Sequence, residues 1–386
     1  MPKEFRLAKR TSVHLDAIRG VSALAVMLYH LRGLFFVDFP YIANKSLFIS
    51  GLYAVTGYGH QAVMIFFVLS GYFIGTSVME AVGAQRWYWR TYLVSRFTRL
   101  QLVLFPALVL GGLWDRIGMR IPQATPIYFG ALYKFYVPSV ALRSAFPIFL
   151  GNLFFLQSIV SPVFGSNTPL WSLSYEFWYY ILFPVIVLTT ARWVGLSSKV
   201  LYAAFALLLL WFIGPQTAFY FLIWLGGALL GRIQHSSGFK PKFFGMSLFT
   251  GLIFLGALAW LRTHRLSSDL WSDYIIAFCF ALWLYALLLG SRDDVSRAYA
   301  YGARKLAGFS YTLYLVHLPA LILLRALLDP RGDWQPDFLH LAYALGIGLL
   351  IMTYSYWVAE FTEGNTATVR RWLLQALSPV QSETQS

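Results

Sequence analysis

Ten apolar runs, each close to the length of a bilayer crossing, constrain this chain more than any other feature. A transmembrane helix takes about 20 residues, and such runs fall near residues 15–35, 60–80, 99–117, 170–190, 198–213, 217–233, 243–262, 271–290, 306–328 and 338–359. The fifth and sixth are short and separated only by Gly214, Pro215 and Gln216, which fits either two tilted helices or a broken pair. Lipid offers backbone N–H and C=O groups no partner, so each run is expected to be helical. The predicted class is an all-α polytopic membrane protein of about ten transmembrane helices. Residues 1–363 are expected to form one transmembrane domain and residues 364–386 a cytoplasmic tail, ending in a frayed QSETQS.

The chain is 58% hydrophobic and only 12% charged, against about a quarter charged in soluble proteins. Its net charge of +14 resembles a nucleic-acid signature until the basic residues are placed on the spans. With the N-terminus in the cytoplasm, most of them fall on inner segments, among them Lys3, Arg6, Arg86, Arg90, Arg192, Lys240, Lys242, Arg292, Arg304, Lys305, Arg370 and Arg371. The excess then reports orientation, with both termini inside, and requires no nucleic acid. Cys279, the only cysteine, rules out an intrachain disulfide and reads as packing within an apolar run. The first run carries Asp16 and Arg19 and has no small-residue cleavage site, so it is expected to remain as a helix of the mature protein.

That first run, LDAIRGVSALAVMLYH, places Arg19 and His30 inside an apolar helix. They are eleven positions apart, which at about 100° per residue puts both side chains on one face, separated by about 16 Å along the axis. Ionisable groups at membrane depth face a bundle interior or a wet cavity and mark function. Glu176, in WSLSYEFWYYILFP, lies about 9 Å in from Leu170, while His30 lies about 24 Å from the inner end of its own run. The two reach similar depths, so a carboxylate and an imidazole are expected to meet, either as a functional pair or as a polar contact joining two helices.

Other polar positions are open to two readings. Ser70 and Gly71, in FFVLSGYFIG, favour close helix packing through small residues, with backbone access for a substrate as the alternative. Arg96 and Arg99, in SRFTRL, fit interfacial anchoring to anionic lipid or a clamp for a phosphorylated ligand, and the spacing leaves both open. In GFSYTLYLVHLP, Tyr311 and Tyr314 read as packing on spacing alone, and His317 reads equally as a core imidazole bonded to a tyrosine or as a substrate contact. The long outer segment between the third and fourth spans, about 118–169, is rich in proline and aromatics, including Tyr128, Phe129, Tyr133, Phe135 and Tyr136, and reads as a lid or binding element. Within it, Pro147 to Val160 is too short to span and is expected to be re-entrant or interfacial.

Taken together, the LD-x-x-RG segment with a basic residue, ten intervening residues and a histidine (Arg19, His30), FFVLSGY, Arg96-x-x-Arg99, WSLSYEFWYY and SYTLYLVH resemble the membrane-bound acyltransferase 3 family over about Leu15 to Glu360. That family acylates hydroxyls on bacterial surface polysaccharides, peptidoglycan, lipid-linked saccharides and some antibiotics. The resemblance implies a multi-pass plasma-membrane protein, in a bacterium the inner membrane. It implies His30 as the catalytic histidine, Arg19 as essential on the same helix, Arg96 and Arg99 on the acyl-donor side, and Glu176 and His317 as site positions. Ser70, Tyr311 and Tyr314 join the candidate substrate-binding set. Ala17 stands where many members have glycine, and Tyr175 where a small or apolar residue is common.

The expected activity is O-acyl transfer, most simply of acetyl, from acyl-coenzyme A as donor substrate to a carbohydrate hydroxyl. No metal or tightly bound cofactor is expected, and the expected partners are acceptor, donor and membrane lipid. His30 is expected to act as general base with Glu176 orienting its ring; a covalent acyl-histidine relay is the variant the residues leave open. The rival reading is a carrier moving a saccharide or anion without bond formation, since intramembrane Arg, Glu and His also mark transport paths. The sequence shows no internal repeat of the kind many transporters have.

Overall fold

A computed structural model of the chain describes residues 9–130, 139–236, 245–264, 269–289, 295–330 and 333–377. Tyr133, Phe135 and Tyr136 of the outer segment, several basic positions (Lys3, Arg6, Lys240, Lys242, Arg292) and the QSETQS end lie outside the described residues. The helices are α1 (Lys9–Phe35), α2 (Leu47–Val55), α3 (Gly59–Gly83), α4 (Trp89–Gly118), α5 (Thr125–Tyr128), α6 (Phe146–Leu153), α7 (Leu170–Thr190), α8 (Leu196–Ser236), α9 (Met246–Thr263), α10 (Asp269–Leu289), α11 (Arg297–Gly308), α12 (Ser310–Leu328), α13 (Phe338–Phe361) and α14 (Thr366–Ala376). The protein is an all-α polytopic membrane protein.

Among the described residues, eight helical stretches are long and apolar enough to cross a membrane, where the sequence predicts about ten. The difference lies at two places. α1, with 27 residues, has the length, but Asp16, Arg19, His30 and Arg32 lower its mean apolarity and it is not among the eight. Residues 198–213 and 217–233 belong to a single element, α8, which breaks at Gly214, where φ is 75°. Glycine adopts that left-handed conformation without a Cβ clash, and Pro215 then supplies no N–H to continue the ladder. The broken pair, rather than two separate helices, is what forms.

Close packing of α3 on α8 organises the bundle. A Cβ on Gly71 would overlap the Trp224 carbonyl oxygen, and one on Gly227 would overlap that of Val68. Lipid tails are as apolar as leucine, so helices in a membrane gain by such close backbone approach rather than by the hydrophobic effect. Gly71 is therefore a packing residue. α9 lies at the opposite extreme: Phe254 is its only buried side chain, and Leu248, Phe249, Leu252 and Leu255 are exposed, as suits a lipid-facing helix.

The segment between α4 and α7 is held down by a buried carboxylate. Asp115, near the end of α4, accepts hydrogen bonds from the Ser166 backbone N–H (2.8 Å) and hydroxyl (2.6 Å). The piece expected to be re-entrant contains α6, eight residues long, followed by turns to Ser161. Beyond Gly364, the stretch read as a polar tail contains α14, which lies along α4: Arg90 donates to the Leu374 carbonyl (3.4 Å) and Arg370 to the Ser95 hydroxyl (3.4 Å).

Candidate active site

α1, α3, α4, α7 and α12 surround a chamber of about 290 Å³. It gathers residues that the sequence scatters over some three hundred positions: Arg19, Ser70, Arg96, Arg99, Glu176, Tyr311 and Tyr314 all line it. Arg19 and Asp16 are on α1, one turn apart, 3.7 Å from each other. His30 and His317 are not in the lining; they pair just past Tyr314, whose ring centroid is 6.3 Å from that of His317.

One end of the chamber is crowded with guanidinium groups. An Arg19 Nη2–H donates to the Ala307 carbonyl at 3.1 Å, across the α11–α12 junction. Arg96 lies over the Tyr92 ring, 5.4 Å from its centroid. Arg99 is exposed, lines the chamber and interacts electrostatically with Glu176 and Glu363. The Nε atoms of both Arg19 and Arg96 are buried without a hydrogen-bond partner. Guanidinium groups present planar, paired donors that suit phosphate or carboxylate oxygens, so this end is built to receive an anion.

Glu363 was not anticipated from the sequence. It follows α13, and its Oε2 accepts from the Thr312 backbone N–H (3.2 Å) and hydroxyl (3.1 Å), at the first turn of α12. Its carboxylate thereby neutralises orphan donors of a helix N-terminus while interacting with Arg19 and Arg99. A single acidic residue after a final span carries no local signal of such a role.

Glu176 occupies a different network from the one expected. Its Oε1 accepts hydrogen bonds from the Ser70 hydroxyl (2.7 Å) and from the Tyr180 hydroxyl. Ser70 in turn accepts from the Trp224 indole N–H at 3.2 Å, which fixes its hydroxyl toward the carboxylate. Carboxylate, serine, tyrosine and tryptophan thus tie α7, α3 and α8 together at the chamber wall. The group set against the His30 ring is another one.

That group is His317. Its Nε2 lies 3.0 Å from His30 Nδ1, and its own Nδ1 lies 2.9 Å from the Leu313 carbonyl oxygen, one turn back on α12. A carbonyl can only accept, so His317 Nδ1 carries the proton and, in the neutral ring, its Nε2 has the lone pair. His30 Nδ1 must then donate, which leaves His30 Nε2 as the basic nitrogen; the protons are assigned from this network. His317 is fully buried and His30 half-buried. The sequence reading offered His317 a tyrosine partner, but its partners are a backbone carbonyl and the other histidine.

Tyr314 and Tyr311 serve the chamber more directly than their spacing suggested. The Tyr314 hydroxyl is 2.8 Å from that of Ser172 and donates to the Pro169 carbonyl at 3.1 Å. Its ring meets Phe66 edge-on at 5.7 Å, and both rings line the chamber. Tyr311 donates to the Leu100 carbonyl at 3.4 Å, beside Arg99.

Comparison with known proteins gives the family. The family model described as an acyltransferase domain, that of the acyltransferase 3 family, matches residues 13–359. That range holds Arg19, His30, Arg96, Arg99, Glu176 and His317, and leaves out Glu363. No curated protein and no solved structure matches the chain. Nearly the whole length being covered, the chain belongs to the acyltransferase 3 family.

Proposed function

We propose that this membrane acyltransferase moves an acyl group, acetyl in the simplest case, from acyl-coenzyme A to a hydroxyl of a carbohydrate acceptor, with His30 as the general base. The observation that carries the reading is a single chamber with unsatisfied arginines at one end and an oriented imidazole pair just past the other. On the orientation given by the charge bias, the arginines face the cytoplasm, where thioesters are made, and His30 lies toward the outside, where surface saccharides are displayed. Arg19, Arg96 and Arg99 hold the donor's phosphates. The chamber volume of about 290 Å³ suits the acylated arm rather than the nucleotide, which stays at the mouth.

In the transfer step, His30 Nε2 takes the proton of the acceptor hydroxyl as its oxygen attacks the thioester carbonyl. The tetrahedral intermediate collapses with cleavage of the C–S bond, and the leaving thiolate receives the proton back from the imidazolium, giving ester and free coenzyme A. His317 keeps His30 in the required tautomer and accepts a hydrogen bond from the transient cation, the part that a carboxylate takes in a catalytic triad. Tyr314 stands between chamber and base, so the thioester reaches His30 when its ring turns aside.

Purified protein in lipid nanodiscs, given labelled acetyl-coenzyme A and a saccharide acceptor, tests this directly. His30→Ala is expected to lower kcat by about 10² to 10⁴ while still binding the donor. Acetyl transfer at an undiminished rate by this variant eliminates His30 as the base, and solute flux into liposomes without release of free coenzyme A by the native protein eliminates the transferase.

A further inference from the structure

A third imidazole, that of His60, lies on α3 outside the chamber lining. On α3, residues 60, 63, 67 and 70 recur at the spacing of one helical stripe. Val63, Phe67 and Ser70 line the chamber, and His60 continues their stripe about 15 Å above Ser70. The preceding residue, Gly59, lies so close to Tyr29 that a Cβ there would overlap its side chain, and the Tyr29 ring is 5.3 Å from that of His30. Gly59 thereby packs this end of α3 against the turn of α1 that carries the base, while the His60 side chain meets Asp273 on α10 and Trp171 on α7.

Its ring is fixed by a buried acid. Asp273, on α10 and 1% exposed, accepts from His60 Nε2 at 2.9 Å and from the Tyr220 hydroxyl at 2.8 Å, both at Oδ2. A carboxylate buried among apolar helices is costly unless paired, and a partner for packing alone has no reason to remain accessible. The His60 side chain is 41% exposed. With Nε2–H committed to Asp273, Nδ1 is the ring atom left to hydrogen-bond a substrate hydroxyl, as acceptor in the neutral ring and as donor in the cation. Beside it is Trp171, its plane 21° from that of His60 with centroids 6.2 Å apart. Trp171 precedes Ser172 of the chamber wall and meets Phe67 edge-on.

We propose that His60, oriented by Asp273 and flanked by Trp171, is the acceptor-binding subsite: Nδ1 hydrogen-bonds a hydroxyl of a ring-shaped polyol while the indole face packs against its C–H face. The inference rests on the acyl-transfer reading and adds to it where the acceptor is held. His60 binds the acceptor, and Asp273 and Tyr220 position His60.

The probes are methyl glycosides of glucose, galactose and N-acetylglucosamine, offered with labelled acetyl-coenzyme A to protein in nanodiscs. His60→Ala is expected to raise the glycoside KM about tenfold or more, the weight of one hydrogen bond to a partner held by a charge. The donor KM is expected to stay within about twofold. Asp273→Asn is expected to shift the same KM by less. In the native protein, modification of His60 by diethyl pyrocarbonate, located by mass spectrometry, is expected to slow when glycoside is present; this readout needs no variant to fold. An unchanged glycoside KM in a folded His60→Ala protein, a parallel fall of donor and acceptor parameters, or modification of His60 indifferent to glycoside overturns the subsite. Failure of the native protein to acetylate any of the three glycosides counts instead against the saccharide reading of function, and the subsite falls with it.

Discussion

The two ends of the chamber meet opposite electrostatic demands. At one, the guanidinium groups of Arg19, Arg96 and Arg99 share the chamber with Asp16 and Glu176, and Glu363 interacts with Arg19 and Arg99. Two guanidinium Nε atoms there are buried and unbonded. At the other, two imidazoles share a proton bridge anchored on a backbone carbonyl. Guanidinium donors left without acceptors favour an incoming anion, whereas a neutral pair favours proton transfer without a permanent charge. Binding and chemistry are thereby separated along α1 by the three turns between Arg19 and His30. A substrate long enough to touch both ends is what such a division requires.

The comparison breaks if a change at one end moves the kinetic constant assigned to the other. Arg99→Ala is expected to raise the acyl-coenzyme A KM by about ten- to a hundredfold, the loss of one charge-assisted hydrogen-bonding group, with kcat little changed. Arg99→Lys is expected to recover only part, because an ammonium cannot reproduce the paired donors of a guanidinium. Steady-state kinetics with varied donor separates the two parameters. A fall confined to kcat places Arg99 with the chemistry and removes the division of labour.

At the other end, His317→Leu keeps an apolar shape but removes the imidazole that accepts from His30 Nδ1–H, leaving the backbone contact to Val26. Without that ring to accept from the transient imidazolium, kcat is expected to fall about tenfold or more with the donor KM unchanged. His317→Gln, whose amide oxygen can accept from His30, is expected to lie between this variant and the native protein. If Leu and Gln behave alike, the hydrogen bond between the rings contributes nothing and His317 is a packing residue.

The sequence reveals one end of this chamber more readily than the other. Arg19 and His30 share a helix, and Arg96 and Arg99 share another, so periodicity alone sets each pair on neighbouring faces. The broken α8 is equally legible, because Gly214-Pro215 carries its own local conformational cause. Contacts between helices distant in the chain leave no such trace. His30 meets His317 across 287 positions and His60 meets Asp273 across 213, distances at which spacing says nothing about who faces whom. Equal depth suggested a meeting of His30 with Glu176, but depth fixes height and not azimuth. Around the bundle axis, Glu176 turns toward Ser70 on α3, while α12 brings His317 to α1. Glu363 escaped notice for the same reason, since only the fold carries the end of α13 back to the start of α12.

Tyr314 tests the boundary between the two ends at its smallest scale. Its hydroxyl is tied to Ser172 and Pro169, and its ring lines the chamber 6.3 Å from the His317 ring. If the ring is a gate whose latch is the hydroxyl, Tyr314→Phe loosens the latch and leaves the aromatic wall in place. A neutral hydrogen bond contributes about 0.5 to 1.5 kcal/mol net, so the transfer rate is expected to change by only a few-fold, with the donor KM unmoved. Its hydrolytic signature is more telling than its size. Easier opening admits water as well as acceptor, so acetyl-coenzyme A hydrolysis without acceptor is expected to rise while transfer per donor consumed falls. Were hydrolysis and transfer to change in equal proportion, the hydroxyl would not govern access, and the separation of the anion-binding end from the base would have to rest on the aromatic ring of Tyr314 and its contact with Phe66.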